Sequence, residues 1–160
     1  MVNITIQSYG RPENVENMMK ALDGLHAVWY VPESQATDYI ATGAEVYGVE
    51  EKQYPMKTLQ QNAALENGFR NGKNVITMDD DFEKAIRVRK CENNETIVEQ
   101  EEVNLRHLIE TLDSAMSTTP FKLGGYHSNH NPFWCHNNPK YYGMLTGQIL
   151  YHKQIGRAHV

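Results

Sequence analysis

A chain of 160 residues, 40% hydrophobic and 22% charged, has the size and composition of one soluble domain with a real core, and is short for two. Its formal net charge of −5 supplies no field that would hold polyanions non-specifically, which sets aside broad nucleic-acid binding while leaving room for a local basic patch. No apolar run approaches the ~20 residues of a membrane span, and Cys91 and Cys135 form no CxxC pair. "MVNITIQSYGRP" has neither a basic n-region nor an apolar h-region. We therefore expect a reduced, cytoplasmic protein with no membrane partner.

Asn3 to Gln7 (NITIQ) alternates polar and apolar residues and predicts a strand. "SYGRPENVENMMKALDG" follows, with a glycine turn, a proline near the helix start, acidic residues in the first turn and Gly24 after the end. His26 to Val31 is a β-rich run closed by Pro32. Pro32 to Gly43 reads as a short helix ending at glycine, and Ala44 to Val49 as a third strand. Met56 to Gly72 predicts a helix with Leu59, Ala63, Leu65 and Phe69 on its apolar side. Asn74 to Met78 is the nearly continuous apolar run of a strand covered on both faces. This alternation of strand and helix predicts an α/β layer fold with a mostly parallel sheet and right-handed crossovers.

Beyond Asp81 the pattern changes. Ala85 to Val98 reads as a hairpin turning at Glu92 to Glu95, and Glu99 to Met116 as a helix with Leu105, Leu108, Ile109, Leu112 and Met116 in one stripe. Arg87, Arg89 and Lys90 are either a solvated strand face or cations within reach of a phosphate backbone. Gly124 to Gly143 is a long polar and aromatic loop, after which "MLTGQILYH" returns to strand.

The puzzle is "VITMDDD": three aspartates follow a buried strand, where their repulsion opposes folding. Ligands of open α/β sheets bind outside the carboxyl ends of the strands. With extended geometry, Asp79 and Asp81 point to one side and Asp80 to the other. Two carboxylates on one side form an oxygen pair suited to Mg²⁺ or Mn²⁺, which also take waters and substrate phosphates. The bland alternative is that Asp80 or Asp81 caps a helix beginning at Phe82, which explains one aspartate and not three. In the first-strand loop, Gly10 lets the backbone turn and approach a ligand, and Arg11 can pair with phosphate or stack on a base. The same stretch also makes sense as a plain strand-to-helix turn, with Tyr9 as a packing residue.

A first strand ending in "SYGRP", a βαβα succession, and a glycine before "VITMDDD" together resemble the nucleotide-binding half of a Rossmann-like GT-A glycosyltransferase. "ITIQSYGRP … LQQNA … VITMDDD" with the later "KLGGYHSNHN … GQILYHK" looks most like the TET-associated glycosyltransferases of phages and metagenomes, which act on hydroxymethylated pyrimidines in DNA. The resemblance implies one GT-A domain over residues 1–153, with a nucleotide-binding half at about 1–83 and an acceptor-side half from 84. It implies metal-dependent transfer of a sugar from a nucleotide-diphosphate donor, most readily a UDP-sugar, to an acceptor such as a modified DNA base. Ser8, Tyr9, Gly10, Arg11, Pro12, Asn62, Asp79 and Asp80 then contact the donor, and Asp79 and Asp81 hold Mn²⁺ or Mg²⁺. Asn62 lies near, not at, the asparagine position of the family.

His127, Asn129 and Trp134 are the acceptor-side candidates, in a loop whose aromatic residues can stack on a base or sugar. His127, His130, His136 and Cys135 crowd the same loop, yet H-x-x-H and an adjacent C-H are not the spacings of a common zinc site. No Asp or Glu follows Asp113, so the catalytic base implied by the family is expected beyond Lys153 and this chain is expected not to turn over. Gln154 to Val160 (QIGRAHV) is what CAG ATC GGA AGA GCA CAC GTC encodes, a string like a sequencing adapter read in frame. We expect a non-native tail there; a genuine polar tail is the alternative. The rival functions are a nucleotidyltransferase, which also uses paired carboxylates after a strand, and a non-catalytic binding module whose aspartates cap a helix.

Overall fold

The structure, a computed structural model, describes residues 2–52, 55–93, 95–126 and 149–154. In chain order it contains β1 (Asn3–Gln7), α1 (Asn14–Leu22), β2 (Ala27–Pro32), a 3₁₀ turn (Glu33–Gln35), α2 (Ala36–Ala41), β3 (Val46–Val49), α3 (Met56–Arg70) and β4 (Val75–Asp79). Then come β5 (Ala85–Lys90), β6 (Ile97–Val103), α4 (Leu105–Ser117), β7 (Leu123–Gly125) and β8 (Ile149–His152). Six strands form one sheet in the order β3-β2-β1-β4-β8-β7, and β5 and β6 form a separate antiparallel pair. The chain is therefore α/β. The first four strands of the sheet are parallel, while β8 runs antiparallel to both β4 and β7, so the sheet is mixed where a mostly parallel one was expected.

Register explains which side chains make the core. Ile4 pairs with Ala27 and Ile76, and Ile6 with Trp29 and Met78, so these buried residues share one face. Tyr151 and Ile149 extend it through their pairing with Ile76 and Met78. Val15, Met18 and Leu22 of α1 and Leu105, Ile109, Leu112 and Met116 of α4 cover that face. Each such large side chain contributes about 1.5–3 kcal/mol on burial, which is what holds α1 and α4 on the sheet.

The opposite face is smaller and more polar. Tyr30, Val49 and Ala64 form its apolar patch, beside buried Thr5, Gln7 and Thr77. Helix α3 lies there, and its buried positions are Gln60, Ala64 and Gly68, one per turn. The apolar stripe expected from Leu59, Ala63 and Phe69 is only half-buried and flanks this seam. At Gly68 the reason is proximity: a Cβ built there would lie 2.1 Å from Val75 Cγ2, so no larger side chain fits at that turn, while Gln60 reaches the Ser8 carbonyl from the helix's first turns.

A second correction concerns α4, which starts at Leu105 and not Glu99. Asn104 caps it, extended at φ −72° and ψ 155°, with its side chain accepting from the His107 amide at 2.8 Å. Glu99 and Glu101 belong to β6, where they pair across the hairpin with Arg89 at 2.8 Å and Arg87 at 3.1 Å. The two arginines therefore meet carboxylates on their own hairpin.

The strand order 3-2-1-4 positions the site. The chain steps outward from β1 to β2 and β3, then α3 carries it back across to β4 on the other side of β1. Crossovers leave β1 and β4 in opposite directions, which opens a crevice at their carboxyl ends. Ser8 to Pro12 and Asp79 to Asp81 flank that crevice. Among the described residues no helix is long and apolar enough to cross a membrane.

Candidate functional site

The loop after β1 is fixed from beneath. Gly10 takes φ +66°, a left-handed conformation that suits glycine, and its amide donates to Gln35 Oε1 at 2.8 Å. The Arg11 amide donates to the Tyr39 hydroxyl at 2.9 Å, and that hydroxyl lies 2.5 Å from Ser8 Oγ. Gln60 on α3 donates its side-chain amide to the Ser8 carbonyl at 2.5 Å. A buried tyrosine and a buried glutamine thus hold the loop in place, while Tyr9 stands 58% exposed at its tip.

The three aspartates divide. Asp80 is buried, accepts from Ser8 Oγ and pairs with Arg11 Nη2. Burial raises its pKa above the ordinary value, against the Ser8 hydrogen bond and the Arg11 charge, which pull it down. Asp79 and Asp81 face the other way and line a cleft of about 400 Å³. Gln7, Ser8, Tyr9 and Arg11 contribute to this cleft from β1 and its loop, and Met56, Lys57 and Gln60 from the start of α3. Lys57 Nζ lies 2.6 Å from Asp79 Oδ1, and Arg11 Nη1 lies 3.5 Å from Asp81 Oδ2. β4 ends at Asp79 and the chain bends at Asp80, whose side chain points away from those of its two neighbours.

Helix α3 points its amino end into the cleft. Pro55 precedes it with no side-chain cap, and no acidic residue occupies its first turn, so the end keeps its positive character. The Asp79 and Asp81 carboxylates thus share the cleft with the Lys57 ammonium and the amino end of α3.

Several sequence expectations come out differently. Asn62 is exposed, two residues and about 200° around α3 from Gln60, and lies off the cleft. Asp80 is turned inward because its neighbours face out, so it supports the loop and does not reach the cleft. Pro12 lines a separate, larger groove of about 640 Å³ along α1. That groove brings Glu13, Glu16 and Lys20 to the surface but none of the aspartates, and no convergent chemistry marks it. No helix begins at Phe82: residues 81 to 84 run directly into β5, so the aspartates cap nothing there. Ser8, Tyr9 and Arg11 line one cleft with Asp79 and Asp81, and Gly10 turns the loop between them.

Sequence reasoning missed Gln60, Lys57 and Tyr39. Lys57 and Gln60 sit i, i+3 in the opening turns of α3, at the carboxyl end of the sheet, which was the available signal. Tyr39 gave none, since its partners are 28 and 31 residues away. His127, Asn129 and Trp134 lie outside the described residues, as does the tail from residue 155. Gln154 is described: its amide donates to Asn74 Oδ1 at 2.9 Å and its side chain to the Phe69 carbonyl at 3.3 Å.

Among the described residues no three His, Cys, Asp or Glu side chains converge as a metal cage. Asp79 and Asp81 are a pair of hard oxygen donors at an open cleft. That donor set fits Mg²⁺ or Mn²⁺, which complete their shells with water and ligand oxygens, and does not fit a closed nitrogen–sulfur site. Compared with known proteins, the chain matches no family model and no curated protein.

Proposed function

We propose that the chain binds a nucleotide-diphosphate sugar together with Mn²⁺ or Mg²⁺ at this cleft, and that it is built for GT-A-type glycosyl transfer. The observation carrying the proposal is the opposition of Asp79 and Asp81 to the Ser8–Arg11 loop and the start of α3, across the crevice between β1 and β4. Asp79 and Asp81 would hold the ion. When bound, the ion supplies Lewis-acid neutralisation of charge on a diphosphate leaving group. Tyr9, exposed at the loop tip, presents a ring for stacking on the base, and the Arg11 guanidinium adds positive charge toward the phosphates. Gln60, Tyr39 and Asp80 position that loop. Asp80 does so from below, which gives the middle aspartate a task its neighbours cannot share.

The proposed acceptor, a hydroxymethylated pyrimidine in DNA, rests on the sequence resemblance and on the residue types His127, Asn129 and Trp134. A nucleotidyltransferase would use the same carboxylate pair but prefer nucleoside triphosphates. The reading is tested by calorimetry with UDP-sugars, GDP-sugars and nucleoside triphosphates, with and without Mn²⁺. The expected result is binding of a sugar diphosphate that is strengthened by Mn²⁺ and abolished in Asp81→Ala. Equal affinity with and without the ion would point to a non-catalytic binding module. Preference for triphosphates would point to the nucleotidyltransferase.

A further inference from the structure

Lys57 carries a charge that runs against metal binding at Asp79. Its ammonium lies 2.6 Å from the Asp79 carboxylate, on the side facing the cleft, where the proposed ion needs that oxygen. We propose that Lys57 is a built-in counter-cation, which holds Asp79 before a ligand binds and turns to the ligand phosphates once a divalent ion takes the carboxylate. This rests on the metal and nucleotide reading above and adds a residue-level control to it.

Two cations face the aspartates, and they are not equivalent. Arg11 pairs with buried Asp80, its backbone amide is held by Tyr39, and its planar fork is fixed on two carboxylates. Lys57 is 68% exposed, on a flexible four-carbon stem, and pairs with an Asp79 that is itself partly exposed. Exposed pairs of this kind are weak and exchangeable, whereas the Arg11 pair is anchored at its buried end. The cation that yields is Lys57.

The position of Lys57 decides where it goes next. It is the second residue of α3, at an amino end with no cap side chain and no acidic residue in its first turn. Released from Asp79, the ammonium adds to the helix end's own positive field, and the group it best complements is an oxyanion in the cleft. A divalent ion alone must therefore displace Lys57 and leave it unpaired. An ion arriving with a diphosphate leaves it paired. Metal and diphosphate then favour each other, and by linkage the coupling is the same in either order.

The test compares wild type with Lys57→Met, which keeps most of the stem and removes the charge. The probes are Mn²⁺ alone, UDP alone and UDP with saturating Mn²⁺, followed by calorimetry and by the electron paramagnetic resonance signal of free Mn²⁺. Removing the competitor is expected to tighten Mn²⁺ binding about threefold to fivefold, the weight of an exposed ion pair. The same substitution weakens UDP binding in the presence of Mn²⁺ by a similar factor, so the coupling between the two ligands shrinks. Unchanged or weaker Mn²⁺ binding by Lys57→Met, in a chain whose Asp79→Asn variant loses the ion, would overturn the role of Lys57 and leave the metal site standing. Absence of Mn²⁺ binding in wild type and Lys57→Met alike would overturn both. Lys57 is exposed, so an unchanged melting temperature verifies that the variant folds.

Discussion

Asp79, Asp80 and Asp81 are one residue type in three environments, and their substitutions should separate accordingly. Asp80 is buried and receives the Ser8 hydroxyl and the Arg11 guanidinium, so Asp80→Ala removes an acceptor that both use and leaves Ser8 to Tyr39 and Arg11 to Asp81. Losing such a buried acceptor costs about 1–3 kcal/mol, and the loop from Ser8 to Arg11 loses its support as well. Asp79 and Asp81 are 26% and 47% exposed, in pairs that water screens. Their alanine variants should stay within about 0.5 kcal/mol of wild type in urea denaturation. The expected pattern is thus one destabilising substitution between two that spare the fold and abolish Mn²⁺ binding. Equal destabilisation by all three would mean that the triplet is one structural cluster and that no ligand explains it.

At the scale of elements, α3 approaches β4 so closely at Gly68 that a Cβ there would meet Val75. An alanine at Gly68 places its methyl 2.1 Å from Val75 Cγ2, on a fully buried strand residue that has no room to withdraw. Overpacking of this kind costs about 1–3 kcal/mol, against up to ~1 kcal/mol regained because alanine favours the helix. Gly68→Ala should therefore lower the melting temperature by several degrees, and Val75→Ala in the same chain should recover part of the loss. A Gly68→Ala protein as stable as wild type would show that α3 stands further off. This contact also shows what was legible beforehand. The strands β1, β2 and β4 were readable because alternating or continuous apolar runs are local signals. The position of the aspartates at a strand's carboxyl end was readable because the end of an apolar run is a local signal too. The buried seam of α3 was not, since Gln60, Ala64 and Gly68 look polar or small until the nearness of β4 is known. The span from Glu99 to Val103 was misassigned to a helix because its acidic residues suit a first turn as well as a strand opposite Arg87 and Arg89. Asn104, an N-cap residue directly before Leu105, was the signal that decides it.

For the whole molecule, half-buried His152 and buried Asp80 tilt stability with pH in opposite senses. His152 on β8 lies 3.2 Å from the Thr77 hydroxyl of β4, and burial lowers its pKa below the ordinary 6.5. Below pH 6.5 the unfolded chain therefore takes up a proton that the folded chain resists, and stability falls as pH falls through that window. Asp80 has its pKa raised above the ordinary 3.8, so the folded chain keeps a proton the unfolded chain has released. Its contribution is full below 3.8 and is lost as pH rises through the raised value. One proton is worth at most about 1.4 kcal/mol per pH unit, so on mild acidification His152 weakens the hold of β8 on β4 before Asp80 begins to compensate. His152→Gln, which can keep a hydrogen bond to Thr77, should flatten the decline just below pH 6.5. Asp80→Asn should leave that decline in place and remove the compensation nearer pH 4. Urea denaturation at pH 7, 5.5 and 4.5 separates the two variants. A decline unchanged in His152→Gln would assign the acid sensitivity to another group and leave the β4–β8 pairing indifferent to pH.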